Sequence, residues 1–282
     1  MVERVFFCSK SVATVLINFR LKGVFKVKKV LSLALSLLML MSCIGISASA
    51  KSDAATVYVS VSAKGELVAA QVEVNVTDID DDGTLTVNDA LYALHEAVYD
   101  GGAQEGYGYY IHKDYGLSLG KLWGDTSGNF GYYMNNASCW GLADAVEDGD
   151  YVNAFVYSDS KFYSDTYCFF SENTLTADKG EEIVLTLNGA GYDANWNPIT
   201  VPVAGAEITV DGVGTGVMTD ENGKAVITID EAGKHVISAA SASAIIVPPV
   251  CTAEVNGFFQ MIFNAIVSFF ESIVNFFASL FA

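Results

Sequence analysis

Cationic side chains are scarce in this chain: 15 Lys and Arg stand against 33 Asp and Glu, and only 3 of the 282 residues are histidine. The shortage of Lys and Arg excludes a nucleic-acid-binding surface, because that affinity comes from clustered cations that displace counterions from phosphates. Seven of the fifteen basic residues, with one acid, lie in residues 1–50, which leaves eight basic against thirty-two acidic side chains, net −24, on the remainder. So acidic an exterior suits solubility and divalent cations. His95, His112 and His235 lie in unrelated elements, and no Cys or His pair has the spacing of a zinc site. A partly exposed position on a helix is the ordinary reading of His95. No phosphate loop or metalloprotease helix is present, and acids such as Asp148 and Asp150 are spaced to shape a turn rather than to act on a glycoside. The expectation is a protein that is not an enzyme. Three cysteines follow residue 50, an odd number for an oxidising compartment. Either Cys139 and Cys168 bridge and Cys251 stays free, or all three are small buried hydrophobes.

What is present begins with an export signal over residues 1–50. Lys26, Lys28 and Lys29 precede an apolar run from residue 30 to 41, and Ala48-Ser49-Ala50 offers a cleavage site before Lys51. The stretch before Lys26 is long for a charged leader, and Val27 is a natural start. Cys43 offers a lipoprotein alternative. The expected location is extracellular, secreted or associated with the cell surface.

The densest chemistry is Asp-Ile-Asp-Asp-Asp-Gly-Thr-Leu-Thr-Val-Asn-Asp, residues 78–89. In a twelve-residue calcium loop Asp78, Asp80 and Asp82 take positions 1, 3 and 5, Gly83 the sharp turn, Thr84 the carbonyl position 7, Thr86 position 9 and Asp89 position 12. Oxygen ligands alone suit a hard cation, so the predicted cofactor is Ca2+. Val72, Val74 and Val76 alternate with polar residues, so a strand enters the loop. Thr86 caps a helix in which Asp89 is the third residue and Leu91, Leu94 and Val98 share a face, so a helix leaves. The strand entry and the Asp at position 12 resemble the calcium half-motif of dockerins, and only the metal ligands are carried over, since no second copy follows in residues 100–125.

Residues 51–173 read as a first domain. Strands are expected at 56–61 and 66–76, one helix to about Tyr99, and aromatic strands at 130–135, 151–158 and 161–170. The run Trp123-Gly124-Asp125-Thr126-Ser127-Gly128-Asn129-Phe130-Gly131-Tyr132-Tyr133-Met134-Asn135-Asn136, followed by Asp148-Gly149-Asp150-Tyr151-Val152 and Phe155-Val156-Tyr157, resembles the transcobalamin-like C-terminal domain of bacterial surface proteins. That resemblance implies an α+β, β-grasp-like domain and, more remotely, a corrinoid ligand. Tyr107, Tyr109, Tyr110, Trp123, Tyr132 and Trp140 are the candidate ligand-contacting aromatics, with the Tyr107 loop preferred for a partner.

Residues 174–250 are expected to form an all-β sandwich with strands at 182–188, 206–211, 224–230 and 234–240. Its turn sequences, Thr219-Asp220-Glu221-Asn222-Gly223-Lys224 among them, resemble bacterial Ig-like stalk domains. A linker is expected at 251–257. Residues 258–282 are apolar apart from a stripe of Gln, Asn, Ser and Glu at every third or fourth position, and they predict a C-terminal hydrophobic amphipathic helix. It either lies in a membrane interface or self-associates, with a transmembrane span as the alternative. The expected function is a calcium-stabilised surface module that binds a surface protein or glycan. The alternatives are a stalk that assembles through residues 258–282 and a corrinoid carrier.

Overall fold

The computed structural model describes residues 54–257 and, beyond them, positions 260, 262, 266, 267 and 269. The expected export signal lies outside the described residues, as does the expected C-terminal helix apart from those five positions. Residues 54–257 belong to one compact unit.

Strands β1 (Ala54–Ala63) and β2 (Glu66–Thr77) pair as an antiparallel hairpin. Lys64 and Gly65 both take positive φ, the conformation that lets a two-residue turn follow the strand twist. Alternation sends Val57, Val59, Val61, Val74 and Val76 to one buried face. Helix α1 (Val87–Val98) covers that face with Leu91 and Leu94, and the single turn α2 (Gly102–Gly106) follows. Residues of β3 (Gly108–His112) and β4 (Gly116–Lys121) form a separate two-stranded ribbon. β5 (Phe130–Met134), β6 (Ala137–Ser138) and β7 (Tyr151–Val156) complete the first sheet in the order β2-β1-β7-β5-β6, with β1 and β7 parallel.

The second half is a two-sheet sandwich. One sheet runs β11 (Pro198–Pro202), β10 (Glu182–Tyr192), β8 (Thr166–Phe170) and β16 (Ile246–Val247), and β14 (Lys224–Thr228) also pairs with β10. The other runs β13 (Val213–Met218), β12 (Ala206–Val210), β15 (Gly233–Ser241), β17 (Cys251–Asn256) and β9 (Thr174–Asp178). Phe170, Leu185, Leu187, Ile208, Ile237 and Ala253 fill the space between the sheets.

Seventeen strands and two helices among the described residues overturn the expected α+β, β-grasp-like class. The chain is mostly β: the Gly/Tyr-rich stretch folds as a hairpin, and α1 alone is long enough to cover a sheet. No long C-terminal helix is among the described residues, and none of their helices is long and apolar enough to cross a membrane. Two boundaries also move. β8, expected in the first domain, pairs with β10 and β16 instead. Residues 251–256, expected as linker, are a central strand bonded to β15 and β9, because Cys251, Ala253 and Val255 alternate into the core.

The two halves are joined by a polar pin and an aromatic one. A bulge in β2 gives Gln71 a positive φ, bonds its N–H to Ser60 Oγ at 2.9 Å and turns its side chain out of the strand pattern. There its amide donates to Asn173 O at 2.9 Å and Val250 O at 3.2 Å, and accepts from Thr252 Oγ1 at 3.0 Å. On the other side Tyr133 of β5 stacks on Tyr167 of β8 with ring centroids 3.7 Å apart, above buried Phe155 and Val247.

Candidate functional site

The loop between β2 and α1 is wound by its own side chains. The Asp78 carboxylate accepts the N–H groups of Asp82 at 3.2 Å and Gly83 at 2.6 Å, and the Asp82 carboxylate accepts Thr84 N–H at 2.7 Å. Asp81 and Gly83 take the left-handed conformation, at φ 56° and 81°, which reverses the chain. The winding gathers Asp78, Asp80 and Asp82 so that one carboxylate oxygen of each lies within 4.8 Å of the others. Each oxygen that accepts one N–H keeps a second lone pair, so the internal bonds do not exhaust the cluster. Three carboxylates with no thiol or imidazole fit a hard divalent cation rather than zinc.

Thr86 and Asp89 are engaged differently. Asp89 is fully buried and accepts from Ile79 N–H at 3.0 Å, Thr86 N–H at 2.8 Å and Thr86 Oγ1–H at 2.6 Å, while its own N–H reaches Thr86 Oγ1 at 3.4 Å. This reciprocal cap starts α1 and ties the first residues of the loop to the last. Thr84 carries the position-7 carbonyl. The structure therefore brings Asp78, Asp80 and Asp82 together as a cluster, while Thr86 and Asp89 close the loop behind it. Partial desolvation, followed by the charges of Asp82, Asp89 and Asp78, pushes the exposed Asp80 carboxyl above the usual carboxylate range. Leu85 is buried and its carbonyl accepts Val146 N–H at 2.9 Å, so the loop is anchored to the body of the domain.

The candidate aromatics do not form one platform. Tyr107 is only 5% exposed, donates its hydroxyl to Asn88 Oδ1 at 2.7 Å and lies 5.2 Å from the His95 ring. Trp123 and Tyr132 are half-buried against the first core. Tyr109 and Tyr110 are exposed on β3, and Trp140 is 99% exposed. Position along the sequence could not separate these cases, because Tyr107 points into the helix–sheet core and Tyr109, two residues on, does not.

His95 is fully buried, contrary to its reading as a partly exposed helix residue. One tautomer satisfies both ring nitrogens: Nδ1–H donates to Leu91 O at 2.7 Å and Nε2 accepts Trp123 N–H at 3.1 Å. Burial pushes its pKa below the ordinary value, and Lys121 adds to the effect. His235 is the opposite case. Its Nδ1 meets Asp211 Oδ2 at 2.7 Å and its Nε2 meets Glu231 O at 2.9 Å, and the Asp211 bond raises its pKa. The three cysteines among the described residues, Cys139, Cys168 and Cys251, are free. Cys168 and Cys251 are buried, and burial pushes each thiol up to about 12.

No protein-family model matches the chain, and no curated protein matches it. Among solved structures it is similar to the N-terminal four Ig domains of Dscam1 isoform 4.4, at 13% identity over 52% of this chain and 33% of that one, with a TM-score of 0.22. It is also similar to immunoglobulin domains 1–4 of Sidekick-1, at 11% identity over 74% of this chain and 51% of that one, with a TM-score of 0.21. The matches span about a third and a half of those structures' own lengths. Similarity at this level carries no argument about activity or partner.

Two residues outside the candidate set share Trp140's surroundings. Trp196, 82% exposed, sits in a turn that Asp193 holds by accepting the N–H groups of Asn195 and Asn197, and Tyr192 is exposed beside it. The sequence signal was a tryptophan between asparagines just before a proline, where a turn leaves a large ring without a core.

Proposed function

We propose that this chain is an exported, non-catalytic binding module of the cell surface whose strand-to-helix corner is stabilised by Ca2+. Asp78, Asp80 and Asp82 would supply carboxylate oxygens and Thr84 its carbonyl. Thr86 and Asp89 would hold the loop in shape, with Asp89 also contributing negative charge. The observation that carries this reading is the convergence of three carboxylates on a loop already wound by its own hydrogen bonds. The ion would relieve repulsion among charges that the fold holds together. The dockerin-like order of strand, acidic loop and helix supports the same assignment. Export is supported by the basic, apolar and small-residue order of residues 26–50. A non-catalytic role is supported by the place of Gly116-Leu117-Ser118-Leu119-Gly120, which lies on hairpin strand β4 rather than at a strand-to-helix turn, with the Ser118 hydroxyl bonded to Gly116 O at 3.2 Å.

The test is equilibrium calcium binding to the exported protein and to an Asp78→Ala/Asp82→Ala variant. One saturable site in the range of about 10⁻⁴ to 10⁻³ M, absent from the variant, is the expected result. Equal binding by both proteins would sink the assignment.

A further inference from the structure

A groove of about 630 Å³ lies between the halves, where residues of the edge strands β6 and β11 line it together. Trp140, Tyr192 and Trp196 stand around it and Tyr133 and Phe169 line it as well. Its polar groups are Asn136, Ser138 and Thr200, and no Asp, Glu, Lys, Arg or His is among its lining residues. That neutrality stands out on a chain whose surface is strongly acidic. The lining itself offers a charged ligand no counterion, and the nearby Asp144 and Asp193 carboxylates already accept backbone N–H groups of Trp140 and of Asn195 and Asn197.

The rings are displayed on pre-formed supports. Trp140 N–H is held by Asp144 Oδ2 at 2.7 Å, and Trp196 N–H by Asp193 O at 3.0 Å. Asn136 Oδ1 accepts the Tyr167 hydroxyl at 3.0 Å, which leaves the Asn136 amide hydrogens to serve as donors. Two tryptophans exposed at 99% and 82% gain nothing from the fold where they stand. Because their backbones are fixed before binding, no loop has to be ordered when they meet a ligand.

The edges argue against an extended peptide. Val203 N–H donates to Leu187 O at 3.1 Å, so by the two-residue alternation of an antiparallel ladder the outward positions of β11 are 198, 200 and 202. Pro198 and Pro202 have no N–H, so Thr200 alone can donate to an added strand. β6 is only two residues long. What fits is a molecule with flat apolar faces for the rings and hydroxyls for Asn136, Ser138 and Thr200, without net charge. We infer that this groove binds a neutral polysaccharide, with sugar faces stacked on Trp140 and Trp196. The inference rests on the proposed binding-module function and names its ligand class.

The experiment titrates the exported protein, in calcium, with neutral hexasaccharides of glucose, mannose, xylose and galactose in α and β linkage, following tryptophan fluorescence and calorimetric heat. Cyanocobalamin and an uncharged extended hexapeptide serve as competitors. Saturable binding to at least one sugar is expected, weakened about tenfold or more by Trp140→Ala and by Trp196→Ala, with Trp140→Phe retaining most of the affinity. Both tryptophans are exposed, so unchanged unfolding curves will show that the variants fold. The inference is overturned by no saturable binding across the panel, by sugar binding that ignores both substitutions, or by tryptophan-dependent binding of the corrinoid or the peptide instead. Because calcium binding at residues 78–89 is read separately, loss of the sugar site with calcium binding intact removes the groove assignment alone.

Discussion

At the scale of the residue, His95 and His235 pull stability in opposite directions with pH. His95 is held neutral, and its folded pKa lies below the ordinary 6.5. Its contribution is therefore present above pH 6.5 and is lost as pH falls from there through the folded value, when protonation of Nε2 expels the Trp123 N–H. The His235 pKa is raised above 6.5 by Asp211, so its contribution is complete below 6.5 and fades as pH rises through the folded value. A proton NMR titration of the ring protons should show one histidine titrating below 6.5 and another above it, assignable with His95→Gln and His235→Gln variants. Coincident titration of the two would contradict the geometry. Cys168 and Cys251 make a second prediction: both should resist iodoacetamide at pH 8 in the folded protein and react once it is unfolded in urea, because burial disfavours each thiolate. Labelling of either in the native state would show that the sandwich core opens.

At the scale of the element, Gln71 tests how the halves are joined. Replacing it with alanine leaves the Asn173 and Val250 carbonyls and the Thr252 hydroxyl without their partner in a buried joint. The expected loss is about 1–3 kcal/mol in urea unfolding, with a Ser60→Ala change in the same bulge costing less. A Gln71→Ala protein as stable as the parent would mean that the joint is wet. This residue also shows what the sequence concealed. The β1–β2 hairpin and α1 were legible, because valine alternation, a Lys-Gly turn and a Thr-x-x-Asp cap each encode their own local structure. Gln71 looked like one more outward polar residue in an alternating strand, and only the bulge, a pairing property, turned it inward. β17 was hidden for a related reason: only its pairing with β15 and β9, between residues far apart in sequence, shows that the segment expected as a linker re-enters the fold as a central strand. Strand membership of β8 was equally unreadable, since its aromatic alternation suits either half and long-range pairing decides between them. In the candidate site the acidic cluster could be read from spacing alone, while the partition of the aromatics between core and surface could not.

At the scale of the whole molecule, a chain with a net charge of −24 beyond residue 50 concentrates five acids in one loop, which hydrogen bonds to Asp78, Asp82 and Asp89 keep wound. Because the folded Asp80 pKa is raised, its contribution to stability is present at acid pH and is lost as pH rises through that value. A bound cation would offset that loss at neutral pH and would itself be displaced as the carboxylates protonate. The calcium-dependent part of stability should therefore be largest near pH 7 and vanish below the carboxylate range.

The most direct test is the thermal midpoint of the protein from residue 51 onward at pH 7 in excess calcium and in chelator, with the Asp78→Ala/Asp82→Ala variant alongside. At a calcium concentration about a hundredfold above Kd the ion should add roughly 2.7 kcal/mol, a rise of about 5–10 °C. The account predicts that rise in the parent and none in the variant. Equal midpoints in calcium and chelator for the parent would contradict it and reduce residues 78–89 to an acidic turn.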